Sequence, residues 1–290
     1  MNGIIIIDKP LGRTSHDMVY EMRKVTGIKK IGHTGTLDPM ATGVLPVCIG
    51  SATKMADMLT LSDKSYIAEL VLGRTTDTQD ADGKVLTECE VNCSEEEIRC
   101  AVNSFVGEIE QVPPMYSAIK QNGKKLYELA RQGIEVERKP RKVTINSIDI
   151  LEISGERVKI DVSCSKGTYI RTLCEDIGKK LGVGAYMNTL RRTRTGQFTI
   201  EESHTLSEIK ELKENGGIES IIIPADRMFE EYPSVTLNPK QVKSVTNGVA
   251  MTYREGQEGQ TYRVYDNENK FLCISRITDG RLKLIKSFWS

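Results

Sequence analysis

The order in which strand-like and helix-like segments follow one another constrains the fold of this chain most. Apolar or alternating runs typical of strands occur at 3–7, 44–49, 66–72, 143–153 and 157–164. Segments of helical spacing separate some of these runs, whereas the last two follow each other directly. A regular alternation of strand and helix would predict a doubly wound parallel sheet. The mixed order instead predicts an α+β fold with a mixed, mostly antiparallel central sheet flanked by helices.

Segments with helical spacing begin at expected capping residues and end at glycine. We expect Ser15 and Ser94 to be N-caps, because a hydroxyl side chain accepts a hydrogen bond from the free amides of a first helical turn. Two further helices are predicted at 124–132 and 171–181. Gly182 stands where the second of these should stop.

The C-terminal part of the chain differs in texture from the rest. Its short β-like runs lie at 261–265, 271–277 and 282–285, separated by Gly and Asn or Asp turns. An acidic stretch precedes them and forms a natural boundary. We therefore predict two domains, 1–231 and 232–290, of which the second is small, β-rich and mildly basic.

Composition excludes several classes of protein. The 290 residues include 40 Lys or Arg and 40 Asp or Glu, so the chain is not a polycation that holds nucleic acid by bulk charge. Locally the balance differs, since 139–195 contains 12 basic and 6 acidic residues. The longest apolar run, Ile4 to Ile7, is ended by Asp8 and Lys9. It falls far short of the roughly 18 residues that a membrane span needs.

The seven cysteines and three histidines show no spacing typical of a metal site. We expect the cysteines to be reduced thiols that act as small buried hydrophobic residues, as is usual in cytosolic proteins. The first residues lack the charged, apolar and small-residue order of a signal peptide. We therefore expect a cytoplasmic protein with no metal site and no membrane contact.

One segment, GHTGTLDPMATGVL at 32–45, is unusual for a protein core. Its glycines, threonines and proline predict a loop that leads into the strand at 44–49. Asp38 precedes Pro39, which disfavours helical backbone at Asp38, and rigid loops beside a sheet often hold reactive side chains. Read alone, the Asp-Pro pair is more typical of an ordinary turn. The segment fits neither a P-loop nor a dinucleotide-binding glycine motif.

Several segments, in order along nearly the whole chain, carry a resemblance to a known family. They are GIIIIDKPLGRTS at 3–15, the loop at 32–45, KSY at 64–66, GRTTDTQD at 73–80, PPMYSAIK at 113–120, CSKGTYIRTL at 164–173 and LRRT at 190–193. On these segments the chain resembles the TruB-type tRNA pseudouridine synthases. The resemblance implies the pseudouridine-synthase fold, a basic RNA-clasping insertion at about 114–142 with a turn at Asn122-Gly123, and, more loosely, a PUA-like RNA-binding C-terminal domain.

The resemblance implies an enzyme that isomerises uridine to pseudouridine at position 55 in the T loop of tRNA. This reaction detaches a uracil from its ribose, turns it and rejoins it through carbon, which needs no redox cofactor or metal. The target base must first leave the folded loop, at a cost of roughly a few kcal/mol. The implied partner is the tRNA T stem-loop. We expect no cofactor, no obligate protein partner and a monomer.

The resemblance assigns catalytic roles to Asp38, Tyr66 and Arg171. Asp38 matches the family's nucleophile, and carboxylates do form covalent intermediates at sugars; whether it attacks the sugar or the pyrimidine ring is left open. Arg171 matches the arginine that pairs with this aspartate. Tyr66 matches the tyrosine whose ring stacks on the target base and whose hydroxyl helps to move the C5 proton. Without the motif, a strand aromatic packed in the core would be the better interpretation of Tyr66.

The resemblance also implies a uridine-binding pocket. Its members are Tyr66, Tyr169 and Leu190, and His33 is implied to support the flipped-out bases. For Leu190, an ordinary core leucine is a serious alternative interpretation. For His33, the alternative is simple packing in the core.

Two other functions fit the same residues. A non-catalytic RNA-binding or tRNA-folding protein on this scaffold would bind RNA without needing Asp38. A glycosidase-like hydrolase would need a second carboxylate about 5–9.5 Å from Asp38 and would release free uracil. The motifs imply no second carboxylate.

Overall fold

A computed structural model describes residues 1–121, 123–253 and 255–289. In chain order the strands are β1 Gly3–Lys9, β2 Ile31–His33, β3 Ala41–Ile49, β4 Lys64–Leu72, β5 Arg74–Thr76, β6 Val85–Glu88, β7 Gly107–Gln111, β8 Lys120–Gln121, β9 Lys124–Lys125, β10 Arg141–Ser154, β11 Arg157–Cys164, β12 Ala185–Thr195, β13 Phe198–Thr199, β14 Ser234–Thr236, β15 Met251–Thr252, β16 Thr261–Tyr265, β17 Phe271–Thr278 and β18 Arg281–Ser287. The α-helices are α1 Ser15–Thr26, α2 Ala56–Thr60, α3 Glu95–Asn103, α4 Leu126–Ala130, α5 Ile170–Leu181, α6 Leu206–Glu214 and α7 Pro239–Thr246. Short 3-10 helices lie at Gly50–Met55, Ile200–Glu202, Ile218–Ile221 and Ala225–Phe229.

A large sheet dominates the fold. Its strands follow the order β1-β3-β12-β4-β11-β10-β7, and β2 and β13 pair with β3 and β12. Neighbouring strands in the described ranges run antiparallel, except that β12 lies parallel to β3 over a short stretch. The predicted α+β class with a mixed, mostly antiparallel central sheet is confirmed.

The sheet brings together three parts of the chain that lie far apart in sequence. Leu190 on β12 pairs with Ala41 on β3, three residues after Asp38. On its other side β12 pairs with β4, where Arg192 lies opposite Tyr66. The glycine-rich loop, β12 and Tyr66 are therefore lateral neighbours.

Apolar side chains cover both faces of the sheet at its β1 and β3 end. On β1, Ile5 and Ile7 pack with α1 and α6, whereas Ile4 and Ile6 pack on the opposite face with α2. This two-sided burial explains why the strand is continuously apolar instead of alternating. A third cluster lies between β4, β10, β11 and β12 and the helices α3 and α5, so α5 is firmly anchored behind the loop.

The capping predictions were right in one case and wrong in the other. Ser94 caps α3, as predicted, within a capping box. Helix α1 is capped by Thr14 instead of Ser15, since Thr14 Oγ1 accepts a hydrogen bond from the amide of Asp17 at 3.0 Å. The Ser15 hydroxyl is used elsewhere, in holding the loop before β3. Helix α5 ends at Gly182 in the left-handed conformation, as predicted.

The predicted helix at 124–132 and the undetected strand β12 depart from the prediction. The predicted helix at 124–132 is a single turn, α4, because 124–125 pair with β8 as strand β9. The predicted turn at Asn122-Gly123 includes Asn122, which lies outside the described residues. Strand β12 was not predicted, because its polar and basic residues hide the strand pattern.

A second sheet, in the order β14-β16-β17-β18-β15, forms the C-terminal part of the fold. The predicted small β-rich C-terminal region is confirmed. The rings of Phe271 and Phe288 from this part, with centroids 5.1 Å apart, pack on Phe229, whose centroid lies 6.1 Å from that of Phe271. These rings share one apolar cluster with Ile4 and Val44.

The seven cysteines differ in burial. Cys48, Cys164, Cys174 and Cys273 are buried, Cys93 is half-buried, and Cys89 and Cys100 are exposed. The interpretation as small buried hydrophobic residues is therefore confirmed for the first four, and Cys93 also packs against the core. It is wrong for Cys89, which follows β6, and for Cys100 on helix α3. None of the helices in the described ranges has the length and apolar character needed to cross a bilayer.

Candidate active site

The loop between β2 and β3 is held by hydrogen bonds from the N-terminal segment. Ser15 Oγ accepts from the amide of Leu37 at 2.8 Å and lies 3.1 Å from its carbonyl oxygen. The amide of Gly12 donates to the carbonyl of Pro39 at 2.8 Å. Asp38 lies between these two anchors, so its backbone is fixed from both sides.

A buried lysine supports the same turn. Lys9 is fully buried, and its Nζ donates to the carbonyl oxygens of Pro10, Arg13 and Pro39 at 2.9, 2.5 and 3.4 Å. Burial lowers the pKa of Lys9 to about 8, and the negative charge of Asp38 opposes this shift. Lys9 therefore joins the N-terminal segment to the residue that follows Asp38.

Arg192 spans the other side of the loop. Its side chain is fully buried, with Nε donating to the carbonyl of Val44 at 2.7 Å and Nη2 to that of Gly35 at 3.2 Å. Gly43 has φ of 101°, and a Cβ there would lie 2.2 Å from the carbonyl oxygen of Arg192. Only glycine allows β3 and β12 to approach so closely.

The glycine-rich loop places Asp38 beside Arg171. Arg171 Nη2 lies 3.0 Å from Asp38 Oδ2, and the side chains are 6% and 40% exposed respectively. Arg171 stands in the first turn of α5, whose inner face is packed in the core. The structure thus joins a fixed, buried cation to a carboxylate that solvent or a ligand can reach.

A second carboxylate binds the same guanidinium. Asp80 Oδ2 lies 3.4 Å from Arg171 Nη1, and its side chain is only 8% exposed. Its other oxygen accepts from Thr78 Oγ1 at 2.5 Å and from the amide of Asp82 at 3.2 Å. Burial raises the pKa of Asp80, and these hydrogen bonds and Arg171 oppose the shift. Asp80 ends the motif GRTTDTQD at 73–80, but its sequence context predicts no role for it.

Two carbonyl groups complete the surroundings of Arg171. Nη1 donates to the carbonyl of Thr78 at 3.1 Å, and Nη2 donates to that of Tyr116 at 2.7 Å. The guanidinium therefore has four oxygen partners from three different segments. Such a planar fork is fixed in orientation as well as in position.

Tyr66 lies on β4 with 7% of its surface exposed. Its neighbour across the sheet is Arg192, whose charge lies close to the phenol. Burial raises the pKa of Tyr66 to about 12, so the hydroxyl is neutral at pH 7. A neutral phenol beside a buried arginine can donate a proton or a hydrogen bond, and its ring can offer a face to a base.

The two remaining residues assigned to the uridine pocket lie on different elements. Leu190 is 9% exposed on β12, beside Ala41. Tyr169 is half-buried at the start of α5, two residues before Arg171. Burial raises the pKa of Tyr169, and the positive charge of Arg171 opposes this shift. Both residues therefore lie next to elements that carry Asp38 or Arg171.

His33 ends strand β2, at the start of the glycine-rich loop. Its Nδ1 is buried and has no hydrogen-bond partner within the described residues. Burial lowers the pKa of His33, and the positive charge of Arg192 adds to this effect. A neutral imidazole is therefore expected at pH 7. No group of three or more His, Cys, Asp or Glu side chains in the described ranges could hold a metal ion.

Three protein-family models match the chain. The model of the TruB family pseudouridylate synthase (N terminal domain) matches residues 23–170. Two further models, tRNA pseudouridylate synthase B C-terminal domain and Pseudouridine synthase II TruB, C-terminal, match 171–230 and 233–283.

Several relatives of similar length share one name, tRNA pseudouridine synthase B. Proteins called tRNA pseudouridine synthase B from Clostridium kluyveri and Clostridium acetobutylicum are both 48% identical over 99% of this chain, and cover 100% and 99% of their own lengths. The protein of that name from Alkaliphilus oremlandii is 52% identical over 86% of this chain and 82% of its own.

Solved structures have the same fold at lower identity. A chain of a Cbf5-Nop10-Gar1 complex matches with a TM-score of 0.73 and 29% identity, over 99% of this chain and 85% of that one. A chain of an H/ACA RNP bound to a substrate RNA containing 2'-deoxyuridine matches with a TM-score of 0.71 and 27% identity, over 99% and 85%. The family model matches half of the chain, and the full-length relatives are 48% identical to it over 99% of its length. The chain therefore belongs to the TruB family of pseudouridylate synthases.

Proposed function

We propose that this chain isomerises uridine to pseudouridine at position 55 in the T loop of tRNA, with Asp38 as the nucleophile. One observation carries the proposal: the accessible carboxylate of Asp38 lies 3.0 Å from the buried guanidinium of Arg171. The family and the name of the full-length relatives supply the reaction and the substrate class.

The reaction moves one bond and one proton. The bond between C1′ of ribose and N1 of uracil breaks, and a new bond forms between C1′ and C5. C5 loses its hydrogen as a proton, and N1 gains a proton. Asp38 forms the transient covalent bond, either to C1′ or to the ring, which divides one difficult substitution into two steps. Arg171 orients the carboxylate and offsets its charge while that bond forms and breaks.

The other pocket residues hold the extruded base. The Tyr66 ring stacks on the uracil, and its hydroxyl helps to move the C5 proton by hydrogen bonding to the group that accepts it. Tyr169 and Leu190 enclose the base from α5 and β12. The neutral imidazole of His33 packs against neighbouring unstacked bases of the loop and can hydrogen-bond to them through its ring nitrogens. Stacking of this kind offsets the cost of extrusion.

RNA binding extends beyond the pocket in this proposal. We assign 1–231 to the catalytic domain and 232–290 to a PUA-like RNA-binding domain, supported by the separate C-terminal sheet. The insertion at about 114–142 clasps the T arm, and its many Lys and Arg residues contact phosphates. If so, affinity for T-arm RNA falls steeply with salt, and hydrogen exchange of the insertion slows when RNA is added. The enzyme acts as a cytoplasmic monomer, which size-exclusion chromatography with light scattering would check.

One requirement of the glycosidase-like hydrolase, a second carboxylate, is met in the structure. Asp80 supplies a second carboxylate near Asp38, as a glycosidase-like hydrolase would require. Both of its oxygens are engaged, however, by Arg171, Thr78 and the amide of Asp82, so neither is free to protonate a leaving group.

Analysis of the products separates the three functions. T-arm RNA is incubated with the protein, pseudouridine is mapped along the RNA, and the supernatant is analysed for free uracil. The proposal predicts pseudouridine at position 55 and no uracil. Free uracil would establish the hydrolase, and bound but unchanged RNA would establish the non-catalytic binder.

A further inference from the structure

Gln111 is a buried polar residue that the reaction described above does not use. It is the last residue of β7, at the edge of the large sheet, and only 2% of its surface is exposed. In the sheet it lies opposite Arg141 on β10. A buried carboxamide is costly unless its donor and acceptor both find partners, so its contacts are informative.

Both ends of this carboxamide bind the main chain of one distant residue. Gln111 Oε1 accepts from the amide of Tyr169 at 3.1 Å, and Nε2 donates to the carbonyl of Tyr169 at 3.3 Å. These bonds join positions separated by 58 residues in sequence. A two-point attachment fixes the direction of a peptide as well as its place.

Tyr169 is the N-cap residue of α5, and its own side chain caps nothing. Its carbonyl accepts the first bond of the helix, from the amide of Leu173 at 3.0 Å, in addition to the bond from Gln111. Helix starts without a side-chain cap tend to fray, because their first amides lack partners. Gln111, on β7, holds the start of α5 through the main chain of Tyr169, where no side-chain cap does so.

The restrained turn carries the arginine of the active site. Arg171 follows Tyr169 by two residues, and its Nη2 lies 3.0 Å from Asp38 Oδ2. The chain that follows Gln111 returns to the same place, since the carbonyl of Tyr116 accepts from Arg171 at 2.7 Å. The segment 111–117 therefore touches the start of α5 at both the main chain and the guanidinium.

We propose that Gln111 is a positioning residue for the reaction: its carboxamide sets the first turn of α5, and thereby the placement of Arg171 against Asp38 and of Tyr169 in the pocket. The proposal rests on the proposed function. It does not make Gln111 a catalytic residue, because the side chain touches neither Asp38 nor a reacting atom. Loss of its two bonds should slow the chemical step, since small displacements of preorganised groups are costly in rate.

The test compares two substitutions with a matched control. Gln111→Met keeps the approximate size of the side chain and removes both bonds, whereas Gln111→Glu keeps the acceptor and donates only when protonated. Val143→Ala is the control, because Val143 is buried on the neighbouring strand β10 and is absent from the contacts described around Arg171 and Tyr169. For each protein we would measure thermal unfolding, KM for T-arm RNA and the single-turnover rate at saturating RNA.

We expect Gln111→Met to lower the single-turnover rate by roughly tenfold, as for the loss of a buried hydrogen-bonded contact, with little change in KM. Val143→Ala should lower the unfolding temperature without this loss of rate. Burial should raise the pKa of the introduced glutamate, so Gln111→Glu should approach the wild-type rate at pH 5.5 and fall behind it at pH 8.5.

A wild-type rate in Gln111→Met, or an equal loss of rate in Val143→Ala, would overturn the proposal. The proposal would also be overturned if the rate of Gln111→Glu, divided by the wild-type rate, did not fall as pH rises. This comparison remains decisive even if Gln111→Met does not fold. Failure of the proposed function would be distinct, since the wild-type protein would then make no pseudouridine at all.

Discussion

The carboxylates of Asp38 and Asp80 are held by one guanidinium, at 3.0 Å and 3.4 Å from its two terminal nitrogens. One of these carboxylates is 40% exposed and the other 8%. The exposed one can meet a substrate, whereas the buried one keeps Arg171 oriented from behind. This division of labour follows from burial alone and does not depend on any motif.

The first prediction concerns the shape of the cation. Arg171→Lys keeps the positive charge but cannot serve four oxygen partners in one plane. We expect the single-turnover rate to fall about 100-fold, as when a preorganised donor is removed. Arg227→Lys, which alters an exposed ion pair with Glu202, is the control and should retain the wild-type rate. Equal rates for all three proteins would contradict the role of the guanidinium.

The second prediction concerns the hydroxyl of Tyr66. Tyr66→Phe retains the ring that stacks on the base but loses the proton-bearing group. We expect T-arm RNA to bind nearly as well, with a rate that falls about 100-fold or more. Because burial raises the pKa of Tyr66 to about 12, the wild-type rate should show no step from this group between pH 8 and 10. An unchanged rate in Tyr66→Phe would limit Tyr66 to stacking.

The third prediction concerns the close approach of β3 and β12. Gly43→Ala places a Cβ 2.2 Å from the carbonyl oxygen of Arg192 at a φ of 101°. We expect the free energy of unfolding to fall by about 3 kcal/mol or more, from strain and forced strand separation together. Gly182→Ala is the matched control, since its φ is 76° and its Cβ would meet nothing within 4 Å. It should cost only about 1 kcal/mol in denaturant unfolding; equal losses would contradict the packing described.

The fourth prediction concerns pH and helix α5. Burial raises the pKa of Asp176 to about 6, above the ordinary value of about 3.9 that applies in the unfolded chain. The folded state therefore disfavours the ionised form, and stability from this group is lost as pH rises through 6. Because the side chain is 28% exposed, we expect Asp176→Asn to stabilise the protein by only about 1 to 2 kcal/mol at pH 8.

Thermal unfolding at two pH values checks this sign. Asp176→Asn should unfold about 2 to 6 °C above the wild type at pH 8, and the difference should narrow at pH 4.5. A difference that widens on acidification would mean that Asp176 is stabilised in its charged form, as by Lys179, whose Nζ lies 3.9 Å from its Oδ1.

The fold was predictable from sequence where its local patterns are strong. Strand β1 is a run of four isoleucines because both of its faces are covered, and α5 ends at Gly182 as its glycine indicates. Strand β12 was missed because its arginines are accommodated by hydrogen bonds to residues far away in sequence. Arg191 donates to Asp8, and Arg192 donates to the carbonyl of Val44. Those partners lie about 150 residues or more away, beyond any local pattern.

The candidate site was predictable only as far as the resemblance reached. It paired Asp38 with Arg171, which are separated by more than a hundred residues, and the structure places them in contact. Asp80 and Gln111 were not assigned, because a carboxylate in an acidic stretch and a glutamine at a strand end look ordinary in sequence. Their importance comes from burial and from the two segments that each of them joins.

Conversion of T-arm RNA by Asp38→Asn decides whether the Asp38 carboxylate is the nucleophile. Asp63→Asn, which alters an exposed partner of Asn146, serves as the matched control. We expect pseudouridine formation in a single turnover to fall at least about 1,000-fold in Asp38→Asn and to be unchanged in Asp63→Asn, while both proteins still bind the RNA. Formation of pseudouridine by Asp38→Asn at the wild-type rate would show that Asp38 is not the nucleophile.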